Sequence, residues 1–248
     1  MVESDFFKSN ICKRLESFQR FFKQLLITHW YSLIVLFMGV YIPLQIFEIL
    51  AVKVWQNKGS FTWDVPVLLA IHETAHPPLD IFALALTKLG SVYIALPIFG
   101  AIALILLLTR QWRNFVYVIT AGVGNAIINL TAKELIHRMR PHLWESSYHH
   151  YGYAFPSGHA MTSMTLVVVL VILAPKTSWR SLVMILGGLF VLAIAWTRLY
   201  LGVHFPSDIL AGWMLALAWA FGVNLIIRPH LTTIINETLL ISGEENIL

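Results

Sequence analysis

The sequence predicts an all-α fold, an integral membrane bundle of six transmembrane helices with amphipathic surface helices, and two observations carry that expectation. Of 248 residues, 58% are hydrophobic and only 12% are charged, whereas soluble domains carry about 25% charged residues. The apolar residues also gather into blocks, several of which reach the ~20 residues that a helix needs to cross the hydrocarbon core.

Residues 1–30 form a first unit. Lys8, Lys13, Arg14, Arg20 and Lys23 alternate there with Phe7, Leu15, Phe18, Phe22 and Leu25. Apolar positions at helical spacing beside a basic face predict an amphipathic helix lying on the membrane surface. A cleaved signal peptide is not expected, because the charged stretch is too long and no small-residue cleavage site follows the apolar run. Cys12, the single cysteine, excludes an intramolecular disulfide and a cysteine metal cluster.

Residues 31–230 form the transmembrane unit, and residues 231–248 a C-terminal tail. The expected spans are Tyr31–Val54, Ser91–Leu108, Phe115–Ala132, Ala160–Ala174, Leu182–Tyr200 and Ile209–Ile227. The fourth is short unless the residues before it continue the helix. Between the first two spans, Trp63, Asp64, Pro66, Pro77 and Pro78 in the stretch Ser60–Gly90 predict an interfacial helix, a turn and an early start to the second span. With six spans both termini share a side. That side holds ten lysines and arginines against seven on the other, where Lys133, Arg140 and Arg198 are reserved for a site. The positive-inside rule then puts both termini in the cytoplasm of a plasma or inner membrane. The net charge of +4 forms no stripe of the kind that binds nucleic acid.

Three segments concentrate ionisable residues at the ends of these blocks. They are Lys133-Glu-Leu-Ile-His-Arg-Met-Arg140-Pro141, then Phe155-Pro156-Ser157-Gly158-His159, then Arg198-Leu-Tyr-Leu-Gly-Val-His204-Phe-Pro-Ser-Asp208. Ends of odd spans and starts of even spans lie on one face, so residues up to 75 positions apart can meet. Charge at membrane depth is costly and faces a partner or an aqueous cavity. Three cations, Lys133, Arg140 and Arg198, against Asp208 and Glu134 predict an anionic ligand. Arginine suits phosphate because its planar fork donates parallel hydrogen bonds. Pro156-Ser157-Gly158 ahead of a helix adds outward backbone N–H groups, and glycine lets an oxyanion approach them. His204 then attacks phosphorus, His159 protonates the leaving oxygen, and Asp208 fixes the His204 tautomer by binding Nδ1–H. The cations supply the transition-state charge, so the scheme uses no metal and no cofactor.

Lys-x6-Arg-Pro, Pro-Ser-Gly-His and Arg-x5-His-x3-Asp, in this order and topology, resemble the type 2 phosphatidic acid phosphatase superfamily, in its membrane lipid phosphatase branch. The motifs span Lys133 to Asp208, and the six-helix plan extends the likeness over most of the chain. The resemblance implies phosphate binding by Lys133, Arg140, Ser157, Gly158 and Arg198, with His159 as acid, His204 as nucleophile and Asp208 as its partner. It implies a bilayer-embedded lipid phosphate as substrate: phosphatidic acid, phosphatidylglycerol phosphate or an isoprenoid diphosphate. Thr197 departs from the serine that many members carry before the arginine. A lipid phosphotransferase using the same site, or a non-enzymatic anion or lipid transporter, are the rival functions. A soluble haloperoxidase shares the motifs, but six apolar spans argue against it.

Other features have plainer readings. Asn125, Asn129 and Lys133 fall at i, i+4 and i+8, a polar stripe suited to interhelical hydrogen bonds and then to support of the site. Gly187, Gly188 and Gly212 suit close helix packing. His149 and His150 read as a solvated loop, and His72, Glu73 and His76 as surface residues. His137, Arg138 and His142 flank the first motif within reach of a head group.

Overall fold

The computed structural model describes residues 18, 23–24, 26–57, 60–144, 152–175 and 178–229. Every regular element among them is helical: α1 Leu26–Gln56, α2 Asp64–His72, α3 Pro77–Leu89, α4 Val92–Leu108, α5 Trp112–Ile136, α6 Gly158–Leu173, α7 Ser178–Tyr200 and α8 Pro206–Ile227. Five stretches are long and apolar enough to cross a membrane: α1, α3 with α4, α5, α7 and α8. The sixth expected span is α6, an apolar helix of 16 residues. At 1.5 Å per residue that is ~24 Å, less than the ~30 Å hydrocarbon core. It packs along α5, α7 and α8, and its face of Ala160, Met161, Ser163, Thr165, Val168 and Val169 is buried. The chain is thus a multi-pass integral membrane protein. Its lipid-facing surface is built of large exposed apolar residues such as Leu104, Ile105, Ile127, Leu130, Ile185 and Leu189.

The helices extend past the expected spans at the ends that matter. α5 runs on to Ile136, so Lys133 sits in its last turn, and the chain leaves through His137 in a left-handed conformation (φ 53°). α6 begins at Gly158 with Ser157 in extended conformation before it. α7 carries Arg198 in its last turn, and α8 opens on Pro206, whose fixed φ suits a first helical position. All three motifs therefore lie at one end of the bundle, as the alternation of spans requires. The interfacial segment is α2, then a turn, then α3, which breaks at Gly90 before α4. A Cβ at Gly90 would stand 2.6 Å from Ile194 Cγ2, so the break lets this corner press against α7. The expected amphipathic helix of residues 1–30 falls largely outside the described residues, as do His149 and His150.

Candidate active site

At that end, Lys133 Nζ donates to the Tyr153 carbonyl at 2.9 Å. Arg140 spreads its fork over three carbonyls: Nε to Gly152 at 2.9 Å, Nη1 to Val203 at 2.8 Å and Nη2 to Tyr153 at 3.3 Å. Lys133 and Arg140 are half-buried, whereas Arg198 is buried, its Nη1 bound to Thr87 Oγ1 at 2.7 Å. Thr87, on α3, had no place in the sequence reading.

The Pro156-Ser157-Gly158 turn is held from two sides. Ser157 N–H donates to the Asp208 carbonyl at 3.0 Å, and Asn129 Nδ2 donates to the Pro156 carbonyl at 3.3 Å. α8 comes so close that a Cβ on Gly212 would lie 2.8 Å from the Ser157 carbonyl oxygen. Asn125 bonds Thr162 and Thr165 of α6, so the polar stripe of α5 first zips two helices together and at Asn129 supports the turn. Ser157 stands where a capping serine is common. Its position is that of a helix N-cap, yet its hydroxyl makes no capping bond. The buried Oγ has no hydrogen-bond partner among the described residues. The helix opens with its first intrahelical bond, Met161 N–H to the Ser157 carbonyl, and has no side-chain cap.

His204 is buried, with 1% of its surface exposed. Its Nε2 lies 3.1 Å from Arg140 Nη1. A guanidinium can only donate, so Nε2 is the acceptor and the ring proton sits on Nδ1. Nδ1 faces Asp208 Oδ2 at 3.4 Å, a contact longer than a formed hydrogen bond. That carboxylate is already engaged: Oδ2 accepts the Phe205 N–H at 2.8 Å, and Oδ1 accepts Arg138 Nη1. Burial, then the nearby Arg140, Arg198, Lys133 and His159, hold the imidazole well below the usual histidine pKa. A neutral ring with its lone pair on Nε2 is the form a nucleophile requires.

Arg138, which flanks the first motif, turns inward. It does not reach toward a head group; it is among the largest fully buried side chains. Its guanidinium bonds Asp64 Oδ2 at 2.8 Å, Ser207 Oγ at 2.7 Å and Asp208 Oδ1, and lies over the Phe205 ring. Arg138 follows a helix end by two residues, and buried arginine is tolerated only beside anions. Those anions come from two other elements, which no local pattern announces. Thr197 Oγ1 turns back to the Ile194 carbonyl at 2.6 Å, so its difference from serine stays within its own helix. His137 packs edge-on against Tyr153, and His142 is exposed. His76 caps α3 by accepting from Leu79 N–H, and His72 stacks on Trp144 at 3.9 Å, Trp144 in turn lying against Gly202 (φ 65°). Of the three glycines expected to pack closely, Gly187 and Gly212 do, while a Cβ on Gly188 would meet nothing within 4 Å.

Membrane-length helices that carry Lys133, Arg140, Arg198 and a buried histidine at one end of the bundle suit the class of multi-pass membrane lipid phosphatases. Comparison with known proteins bears this out. The PAP2 superfamily model matches residues 111–230. Lipid A 4'-phosphatase of Bacteroides thetaiotaomicron is 31% identical over 60% of this chain and 70% of its own length. Undecaprenyl-diphosphatase of Sulfolobus acidocaldarius is 28% identical over 71% of this chain and 84% of its own. The crystal structure of a transmembrane PAP2-type phosphatidylglycerolphosphate phosphatase from Bacillus subtilis superposes with a TM-score of 0.65 at 29% identity. It covers 75% of this chain and 95% of that one. The chain belongs to the PAP2 superfamily.

Proposed function

We propose that this enzyme removes phosphate from a lipid phosphate or diphosphate through a phosphohistidine on His204. The observation that carries this reading is the Arg140–His204 contact, because it leaves the lone pair on the nitrogen beside the cationic cradle. In the first step Nε2 attacks phosphorus, the phosphorus–oxygen bond to the lipid breaks, and its electron pair takes a proton from His159. In the second, His159 removes a proton from water, the oxygen attacks phosphorus, and the phosphorus–nitrogen pair returns to Nε2. Lys133, Arg140, Arg198, Ser157 Oγ and the Gly158 N–H bind the phosphoryl oxygens and stabilise their developing charge. Asp208 faces the Nδ1–H and stabilises the positive charge that the ring gains on phosphorylation.

The names of the relatives favour a substrate whose apolar part stays in the bilayer: an isoprenoid diphosphate, a phosphatidylglycerol phosphate or a lipid-bound sugar phosphate. The lysine and arginine distribution favours cytoplasmic termini and a site at the opposite face. Phosphate release from a panel of such lipids in detergent, with and without chelator, tests the reading. Release should persist in chelator and vanish in His204→Ala. His159→Ala should lose lipid turnover yet release a stoichiometric burst of phenol from a phenyl phosphate bearing a good leaving group, because the first step then needs no acid while the second still lacks its base. Labelled phosphate reappearing on a second lipid would make the enzyme a transferase instead.

A further inference from the structure

Asp64 is a carboxylate buried to 0% exposure at the start of α2, in a part of the chain that holds none of the three motifs. It is saturated with donors. Oδ1 accepts the Ser207 N–H at 3.0 Å. Oδ2 accepts Arg138 Nη2 at 2.8 Å, Ser207 Oγ at 2.6 Å and the Phe61 N–H at 2.9 Å. Four bonds on one buried carboxylate exceed what an ion pair needs. Three of them run to Arg138 and Ser207, the residues that touch Asp208 or immediately precede it.

Arg138 stands between two buried carboxylates and uses one terminal nitrogen for each: Nη2 for Asp64 and Nη1 for Asp208. This geometry sets the direction of the Asp208 side chain. With Oδ1 held by Arg138 and Oδ2 drawn toward the Phe205 N–H, the carboxylate cannot turn about its last bond, and Oδ2 stays 3.4 Å from His204 Nδ1. Asp64 fixes the guanidinium from behind and binds the first turn of α8 through the Ser207 N–H. Without the guanidinium, two like charges would face each other across Ser207, and Asp208 would swing away from the histidine.

We propose that Asp64 and Arg138 are positioning residues that orient Asp208, and through it the His204 ring, so that α2 takes part in catalysis without touching substrate. The proposal rests on His204 as the nucleophile. The relay belongs to the bond-making step and not to phosphate capture, because the bonds of both side chains converge on Ser207, Asp208 and each other. Partners one shell removed from the reacting group govern its orientation, and their loss costs about 10- to 100-fold in activity.

Arg138→Lys and Asp64→Asn test it in the full-length protein in detergent. Lysine keeps the charge but has one nitrogen for two carboxylates; asparagine keeps the shape but not the charge. Each should lower kcat about 10- to 100-fold while leaving KM and competitive inhibition by inorganic phosphate within about twofold. The double variant should lose little more than the worse single, because one linkage is broken twice. Unchanged kcat in either well-folded variant overturns the relay. So does a parallel loss of kcat and phosphate inhibition, which marks general damage to the site. Should Arg138→Lys fail to fold, Asp64→Asn decides alone by the same criteria. His204→Ala in the same assay separates the two claims: its activity surviving refutes the nucleophile, whereas its death beside intact Arg138→Lys and Asp64→Asn refutes the relay only.

Discussion

Arg198 Nη1 is bonded to Thr87 Oγ1 at 2.7 Å, across 111 positions of sequence. Both side chains are buried, so the deepest cation of the cradle takes its aim from α3. The site is thus braced from outside its own helices twice, by Thr87 at Arg198 and by Asp64 at Arg138.

Thr87→Val keeps the volume and removes the hydroxyl. A hydrogen bond to a charged group contributes about 1.5–3 kcal/mol. Arg198 should therefore lose its orientation, and KM for lipid phosphate should rise about 10-fold, equivalent to ~1.4 kcal/mol. Thr87→Ser should restore it. Steady-state kinetics of the two variants side by side check this.

Arg140→Lys should cost more than charge retention suggests. The arginine bonds the Gly152, Tyr153 and Val203 carbonyls and His204 Nε2 at once, a span that a single ammonium lacks. A loss of one preorganised donor at the developing charge costs about 100- to 1,000-fold in kcat. The phosphoenzyme, trapped by rapid quenching in alkali where phosphohistidine survives, should form correspondingly slowly.

The pH dependence follows from His204. Its pKa is lowered by burial first, then by Arg140, Arg198, Lys133 and His159; Asp208, with Arg138 behind it, faces the ring from the other side. With His204 as the proposed nucleophile, the reactive form is the neutral one, which is present above the folded pKa. Activity should therefore hold as pH falls through about 6.5, the free imidazole value, and fail only well below it. A kcat/KM profile on two substrates of different phosphate acidity separates the enzyme's limb from the substrate's. An enzyme limb at or above the free value would contradict a buried, neutral nucleophile. The sign for stability agrees. A depressed histidine contributes stability in full above the unfolded pKa and loses it as pH falls toward the folded one.

The parts of this architecture that could be read in the sequence are those encoded locally. Apolar runs of membrane length show the spans, and Lys133 with Arg140, Pro156 to His159, and Arg198 with His204 and Asp208 each lie within a short window. The alternation of spans then brings the windows to one end. Asp64, Arg138 and Thr87 could not be read in this way, because their bonds join positions 74, 70 and 111 apart, and each residue type is ordinary where it stands. Buried arginine was the missed signal. Arg138 lies two residues before Arg140, and nothing within that window distinguishes the buried cation from the half-buried one.

The carbonyls of Gly152 and Tyr153 act as resident counter-ligands to Lys133 and Arg140. In the proposed reaction a phosphoryl group entering the cradle exchanges partners with the main chain and does not meet bare charge, so much of its attraction is cancelled by bonds given up. Tight ground-state binding is blunted while the donors remain preorganised for the more highly charged transition state. In the proposed cycle the same carbonyls return to their cations on departure, so inorganic phosphate should inhibit only weakly, which its inhibition constant measures.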